Sequence, residues 1–330
     1  MTVRSPVRIG IIGCGSIARS AHVPGFLASP HAELAGFASR TRGSAEATAE
    51  GCGSPAPIYD DWRELVERED VDAVAICSPN AFHREQAVTA AKAGKHVLVE
   101  KPVAVSADEA DEMIAAATEA GVVLQVAHNL RYVPSVLAAR DAVGRVGSIV
   151  GLRAAFGHGG PQVWAKEASW FFDRARSGGG ALIDMGIHII DVVNFVTGLD
   201  AREVTAMMAG NDPCEDAAQL VVSFDNNAIG SVHASWVARP APDMSLTIFG
   251  SDGTLHFDVR TPLTFRPADG KKEQIELPTV NATPFDDFAR IVSGEAAVGP
   301  AASGEEARKA IAIVDAAYES ARSGDRVKVA

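Results

Sequence analysis

Cysteine, aromatic residues and surplus positive charge are all scarce in this chain. It holds 4 cysteines, Cys14, Cys52, Cys77 and Cys214, and no two of them have C-x-x-C spacing. That count and spacing argue against a disulfide scaffold and a cysteine zinc site, so reduced thiols in a cytoplasmic protein are expected. His22, His31, His96, His128, His158, His233 and His256 show no ligand spacing either, so no metal is expected. Lys plus Arg number 30 against 42 Asp plus Glu, a formal net charge of −12. That balance argues against a protein that holds nucleic acid by neutralising phosphates. No apolar run approaches the ~20 residues of a membrane helix, so no membrane partner is expected. The basic residues before the first apolar run suggest a signal peptide, but the run is short, rich in glycine and followed at once by Arg19. A strand leading into a glycine turn explains it better.

What the chain has is length and apolar content. Its 330 residues, 47% of them hydrophobic, suffice for about two domains with cores of their own. Apolar runs of strand length lie at Val7–Ile12, Glu33–Ser39, Ala73–Cys77, His96–Glu100 and Val122–Ala127. Helix-like segments separate them and follow them, the last opening at Ser106 with a capping-box partner at Glu109. This alternation predicts a doubly wound parallel sheet with helices on both faces over residues 1–127. Residues 128–330 read as a second, α+β domain. Ala218–Phe224 and Gly230–Trp236 alternate about an Asp225-Asn226-Asn227 turn and predict an antiparallel hairpin. Ser245–Phe249 and Thr254–Phe257 predict another, and Ser303 with Glu306 opens a long closing helix.

Three segments carry chemistry. Gly13-Cys14-Gly15-Ser16-Ile17-Ala18 is a G-x-G-x-x-A turn between a strand and a helix. Gly13 permits the tight turn, Gly15 leaves room for a pyrophosphate, and the helix opening at Ser16 and Ile17 points free N–H groups at it. After the second strand an acidic residue would bind the ribose of NAD. This chain has Ser39, Arg40 and Arg42 there and no acid, which favours NADP over NAD. The second segment ends a strand in Glu100-Lys101-Pro102, where ligands bind in open α/β sheets, and puts a cation at that edge. The third is Gly178-Gly179-Gly180 followed by Asp184 and His188 at i and i+4 on an otherwise apolar helix. A lone histidine on such a helix is ordinarily a satisfied core residue. The glycine run and the carboxylate on its own face favour function here. Asp191, a turn further on, reads as structural.

With these residues in view, the sequence resembles the Gfo/Idh/MocA family of NAD(P)-dependent oxidoreductases over essentially its whole length. The resemblance rests on the glycine turn, on Ser78-Pro79-Asn80 with His83 downstream, on Ala93 through Pro102, and on Gly180-x-x-x-Asp184-x-x-x-His188. It implies a Rossmann domain followed by an open, mostly antiparallel sheet that forms a homodimer or homotetramer. It also implies a sugar, cyclitol or related polyol as substrate. Lys101, Asp184 and His188 would form the catalytic group. Ser78, Pro79, Asn80 and His83 would line the cofactor side, Glu100-Lys101-Pro102 would lie beside the nicotinamide ribose, and Asn129 would face the nicotinamide or the substrate. Trp170-Phe171 departs from the Trp-Arg of many relatives, so an arginine contact is missing there. Trp164 and Trp170 are either a sugar-stacking wall or core. Two other readings stay open on this scaffold: a glycosidase that uses NAD transiently, and a cofactor-sensing regulator.

Overall fold

Near-continuous apolar strands must be covered on both faces, and helices do that here. The computed structural model describes residues 5–163, 169–210, 213–239, 243–258 and 261–330. The chain divides into two compact units. The first takes the described residues up to Ala104, with Asp108–Asn129 and Asn281–Ala307. The second takes Val105–Ala107, Leu130–Val280 and Arg308–Ala330.

In the first unit, β1 (Val7–Ile12), β2 (Ala32–Ala38), β3 (Ile58–Tyr59), β4 (Ala73–Ile76), β5 (His96–Val99) and β6 (Leu124–Val126) form a parallel sheet of order β3-β2-β1-β4-β5-β6. This is the dinucleotide-binding order, with the chain reversing direction across the sheet beside β1. β4 and β1 are buried at nearly every position. The Ala93-Gly94-Lys95-His96 segment has a structural role at the far edge from the site. Gly94 adopts φ +75°, Lys95 Nζ donates to the carbonyls of Arg68 and Val71, and His96 Nδ1 accepts from the Val123 amide.

In the second unit, β7 (Ile149–Gly157), β8 (Ala201–Ala209), β9 (Ala217–Phe224), β10 (Ile229–Ser235), β11 (Asp243–Gly250), β12 (Gly253–Asp258), β13 (Thr261–Pro267) and β14 (Glu273–Gln274) form one sheet of order β14-β13-β12-β11-β7-β10-β9-β8. Both expected hairpins form: β9 pairs antiparallel with β10, and β11 with β12. Asn227 takes the left-handed position of the first turn at φ 66°, a conformation asparagine tolerates. The pairing is antiparallel throughout except between β7 and β10, which run parallel. A parallel pair needs a long crossover, and the chain between these two strands supplies one. One face of the sheet, with Leu152, Leu220, Val222, Val232, Leu246 and Leu255, is buried.

Residues 281–307, which the change of period groups with the second half, pack in the first unit instead. The helix Pro284–Ser293 puts Phe285, Phe288, Ala289 and Val292 into the core around β1 and β2. Thr283 caps it by accepting from the Asp286 amide. β15 (Ala302–Ser303) then adds an antiparallel edge to β6, and β16 (Val327–Lys328) does the same for β8. The closing helix Gly304–Ser323 opens on the expected capping box: Glu306 accepts from the Ser303 amide at 3.0 Å and its own amide donates to Ser303 Oγ at 3.3 Å.

Candidate active site

The first unit builds the glycine turn at the carboxyl end of β1. Gly13 sits at φ +89°, and a Cβ there would lie 2.7 Å from the Ser78 backbone nitrogen, so only glycine lets the turn rest on the end of β4. Gly15 has nothing within 4 Å of where its Cβ would stand. Helical residues 16–28 follow at once, with a π turn at Ala18–His22. Open space above Gly15 and the helix start at Ser16 and Ile17 fit a pyrophosphate. Asn129 Oδ1, buried without a hydrogen-bond partner among the described residues, fits an amide donor such as a nicotinamide carries. Cys14 faces inward; burial pushes its thiol up to about 12, so it stays protonated and inert.

Beyond β2, Arg42 is taken up by Glu46 at 3.0 Å and Asp60 at 3.1 Å. Arg40 is exposed and has no ion pair among the described residues. Ser39 is half-buried, its Oγ accepting from the Thr41 amide.

Beyond the ends of β4 and β5 three predicted residues have different fates. Lys101 is half-buried and joined to Pro102 by a cis peptide. Glu100 is 6% exposed, its carboxylate held by His22 Nε2 at 2.7 Å and by the Lys101 amide at 3.1 Å. Burial opposes its charge, but the His22 hydrogen bond and the Lys101 charge keep its carboxyl below the usual carboxylate range. His83 is wholly buried, with one ring nitrogen on the Pro102 carbonyl and the other on the Ser78 carbonyl. The Glu100 and His83 side chains are thus engaged by the protein itself.

The second unit carries Asp184 and His188 on helical residues 181–197, with a π turn at Leu182–Gly186. Its start is capped by a residue far off in sequence. Glu215 accepts from the amides of Gly180 and Leu182, each at 2.9 Å, and its carbonyl accepts from the Ala181 amide at 2.8 Å. The same carboxylate accepts from the Tyr318 hydroxyl at 2.9 Å. Burial, and then the Glu215 charge, push the Tyr318 phenol well above its ordinary value, so it remains a donor. A carboxylate on two orphan amides at a helix start, with its own carbonyl on a third, meets both their hydrogen-bonding need and the helix dipole.

This cap also explains the glycine run, which sequence reasoning takes as room for close approach. A Cβ on Gly179 would fall 1.9 Å from the Tyr318 hydroxyl, and one on Gly180 would fall 2.1 Å from the Glu215 carbonyl oxygen. The close approach is to the protein's own cap. Gly180→Ala is therefore expected to destabilise the fold by roughly 1–3 kcal/mol, since backbone cannot move aside. A thermal melt of the variant checks it, and an unchanged midpoint would contradict the packing described.

Asp184 is 4% exposed, and Trp236, itself 3% exposed, donates its indole N–H to Asp184 Oδ2 at 2.8 Å. His158 Nε2 stands 3.9 Å from the same oxygen. The Gly160 amide donates to His158 Nδ1 at 2.9 Å, so a neutral His158 carries its proton on Nε2, towards Asp184. His188 is half-buried, its ring edge-on to Phe156 at 5.6 Å. Asp191 forms a two-pronged pair with Arg131, Nε–Oδ2 at 2.9 Å and Nη2–Oδ1 at 2.7 Å, and so is structural. Trp170 stacks on Phe171 at 3.9 Å, while Trp164 lies outside the described residues. The second unit therefore brings Asp184 and His188 onto one helix, holds Asp184 with Trp236 beside His158, and caps the helix start with Glu215 and Tyr318, which no sequence spacing announces. The apolar stretch Arg174–Thr197 is long enough to cross a membrane by composition, and 83% of its most apolar window is buried inside the fold.

Residues 7–128 match a family described as an oxidoreductase family with an NAD-binding Rossmann fold, and residues 136–256 match a GFO/IDH/MocA C-terminal domain. The chain is similar to the 1,5-anhydro-D-fructose reductase of Ensifer adhaerens, 32% identical over 338 residues that cover 98% of each chain. It is 29% identical to the myo-inositol 2-dehydrogenase of Thermotoga maritima, over 82% of this chain and 84% of that one. Among solved structures it is similar to a levoglucosan dehydrogenase in complex with NADH and levoglucosan, with a TM-score of 0.83 and 25% identity over 98% of this chain and 99% of that one.

Proposed function

Since the chain belongs to the Gfo/Idh/MocA family of oxidoreductases, we propose that it moves a hydride between a nicotinamide cofactor and a secondary alcohol or ketone of a sugar, cyclitol or related polyol. Its similar proteins are named for an anhydro-sugar, for myo-inositol and for levoglucosan. The observation that carries the reading is one helix bearing a buried, Trp236-held Asp184 and a half-buried His188, in a chain whose other unit bears an open glycine turn. Gly13, Gly15, Ser16 and Ile17 would hold the pyrophosphate, and Ser78, Pro79, Asn80 and Asn129 the nicotinamide side. Bound nicotinamide supplies the hydride acceptor, or the donor in reverse.

The chain's own residues handle the proton and the charge. His188 takes the hydroxyl proton as the alcohol is oxidised, because an ordinary imidazole with a pKa of ~6.5 is a base poised near neutral pH. Lys101 stabilises the negative charge that builds on the substrate oxygen and polarises the carbonyl in the reverse direction. Asp184, fixed by Trp236, orients His188 or grips a neighbouring substrate hydroxyl. The test is a panel of sugars and inositols assayed with both cofactors. Oxidation or reduction of a panel member supports the reading. Cleavage of a glycoside with no net change in cofactor would replace it with the NAD-assisted glycosidase.

The reading extends to the cofactor and the assembly. Arg40, exposed and without an ion pair among the described residues, is the cation we assign to a 2′-phosphate, which favours NADP. Arg40→Ala is expected to raise the KM for NADP roughly tenfold and leave that for NAD unchanged. Equal effects on both cofactors, or none, would remove that preference. The unburied face of the second sheet shows Met207 at 77%, Ile229 at 60% and Val221 at 49% exposure, which suits a homodimer or homotetramer formed through it. Four free thiols suit a cytoplasmic enzyme.

A further inference from the structure

His83 is wholly buried, and the chemistry above gives it no task. It opens the helix His83–Lys92, directly after the short turn Asn80–Phe82. Its Nδ1 lies 2.9 Å from the Pro102 carbonyl oxygen and its Nε2 lies 2.9 Å from the Ser78 carbonyl oxygen. Ser78 follows β4 and is the residue on which Gly13 of the glycine turn rests. Pro102 follows β5 and is bonded to Lys101. β4 and β5 are neighbours in the sheet. One imidazole thus spans the two turns that leave adjacent strands.

We propose that His83 is a positioning residue that ties the Ser78–Asn80 turn to the Lys101–Pro102 turn, so that the cofactor-side turn and Lys101 keep one fixed spacing. The chemistry selects histidine for this. Both partners are carbonyls, which only accept, and a rigid ring with a nitrogen at each side reaches both. An imidazolium donates to both at once, whereas a neutral ring donates to one and turns a lone pair towards the other, so the tie to both turns belongs to the protonated ring. Burial holds the ring below the ordinary histidine range, while the two carbonyls and Glu100, the charged group that acts on it, pull the other way. Glutamine fills similar space, but its donors share one nitrogen, so it serves one carbonyl and presents an acceptor to the other.

The inference rests on the reading that Lys101 acts in the reaction, and the test separates the two. Lysines of the cofactor-free protein are reductively methylated with a 13C label, which keeps their charge. The Lys101 signal is identified by its loss in Lys101→Arg. In His83→Gln that signal is expected to shift and broaden while those of Lys92 and Lys309 stay in place. In turnover, kcat is expected to fall about 10²-fold with a much smaller change in KM for the polyol, as for a group displaced by about 1 Å. An unmoved Lys101 signal in folded His83→Gln overturns the proposal whether or not a substrate is turned over. A moved signal, with Lys101→Ala as active as wild type, upholds the tie and rejects the catalytic role of Lys101. Should His83→Gln fail to fold, 15N-histidine spectra of the wild type decide. A His83 ring N–H that resists solvent exchange supports the tie, and one that exchanges as fast as an exposed histidine overturns it.

Discussion

Lys101→Ala and His188→Ala are each expected to lose most turnover and still bind cofactor. The expected size follows from what each group does. Removing a positioned general base costs about 10²–10⁴-fold in rate. Removing a charge aimed at a developing oxyanion costs about 10²–10³-fold. Neither side chain belongs to the glycine turn, so cofactor fluorescence titrations are expected to give dissociation constants close to wild type. Lys101 is half-buried on a turn and His188 half-buried on a helix, so alanine at either leaves little cavity, and thermal melts should stay near wild type. Under the proposed mechanism both residues act on one transition state, so the double variant is expected to lose less than the product of the two single losses. A pH profile adds an independent check. The acid limb of kcat/KM that reports the general base is expected to vanish in His188→Ala and to persist in Lys101→Ala. Turnover of either variant at the wild-type rate would refute its assignment.

The parts of the molecule legible in the sequence are those whose physics is local. Strands buried on both faces are apolar almost throughout, so β1, β4 and β5 stand out as runs. The glycine turn is legible because the backbone at Gly13 has one affordable residue. The Ser303–Glu306 box is legible because both of its bonds close within one helical turn.

What sequence reasoning misses is made by distance along the chain. Glu215 reaches the Gly180 amide across 35 positions, Trp236 reaches Asp184 across 52, and Tyr318 reaches Glu215 across 103. A glutamate or a tryptophan carries no local mark of such a task, so the glycine run that receives them reads as space left for a ligand. The helix Pro284–Ser293 fails for a related reason. Its apolar stripe says that it covers a sheet and does not say which one, and Phe285 and Phe288 turn out to cover the first. Glu100 and His83 are the subtler case. Both lie in segments that carry the family resemblance, and the structure buries both. A conspicuous motif residue can support the residue beside it rather than touch the ligand.

Arg131 and Asp191 give the largest expected change in stability. Their side chains are 2% and 1% exposed, and they meet through two nearly parallel bonds. The guanidinium also lies over the Phe195 ring at 4.9 Å. Taking these two charges out of water is costly, and their attraction with good geometry roughly repays it, so the intact pair adds little net stability. Breaking it is another matter, because the surviving charge stays buried without its counter-ion. Arg131→Met and Asp191→Leu are each expected to destabilise the protein by about 3–5 kcal/mol. The double variant, which leaves no lone charge, is expected to lie closer to wild type than either single variant. Denaturant unfolding followed by circular dichroism measures all three. Single variants within about 1 kcal/mol of wild type would mean that water reaches the pair. A double variant that loses the sum of the two single losses would mean that packing and not charge sets the cost. The pair also reaches the chemistry. Asp191 shares the helix Ile187–Thr197 with His188, less than one turn away. A surviving Arg131→Met protein is therefore expected to lose turnover beyond its loss of stability, since the helix that aims the imidazole has lost its anchor.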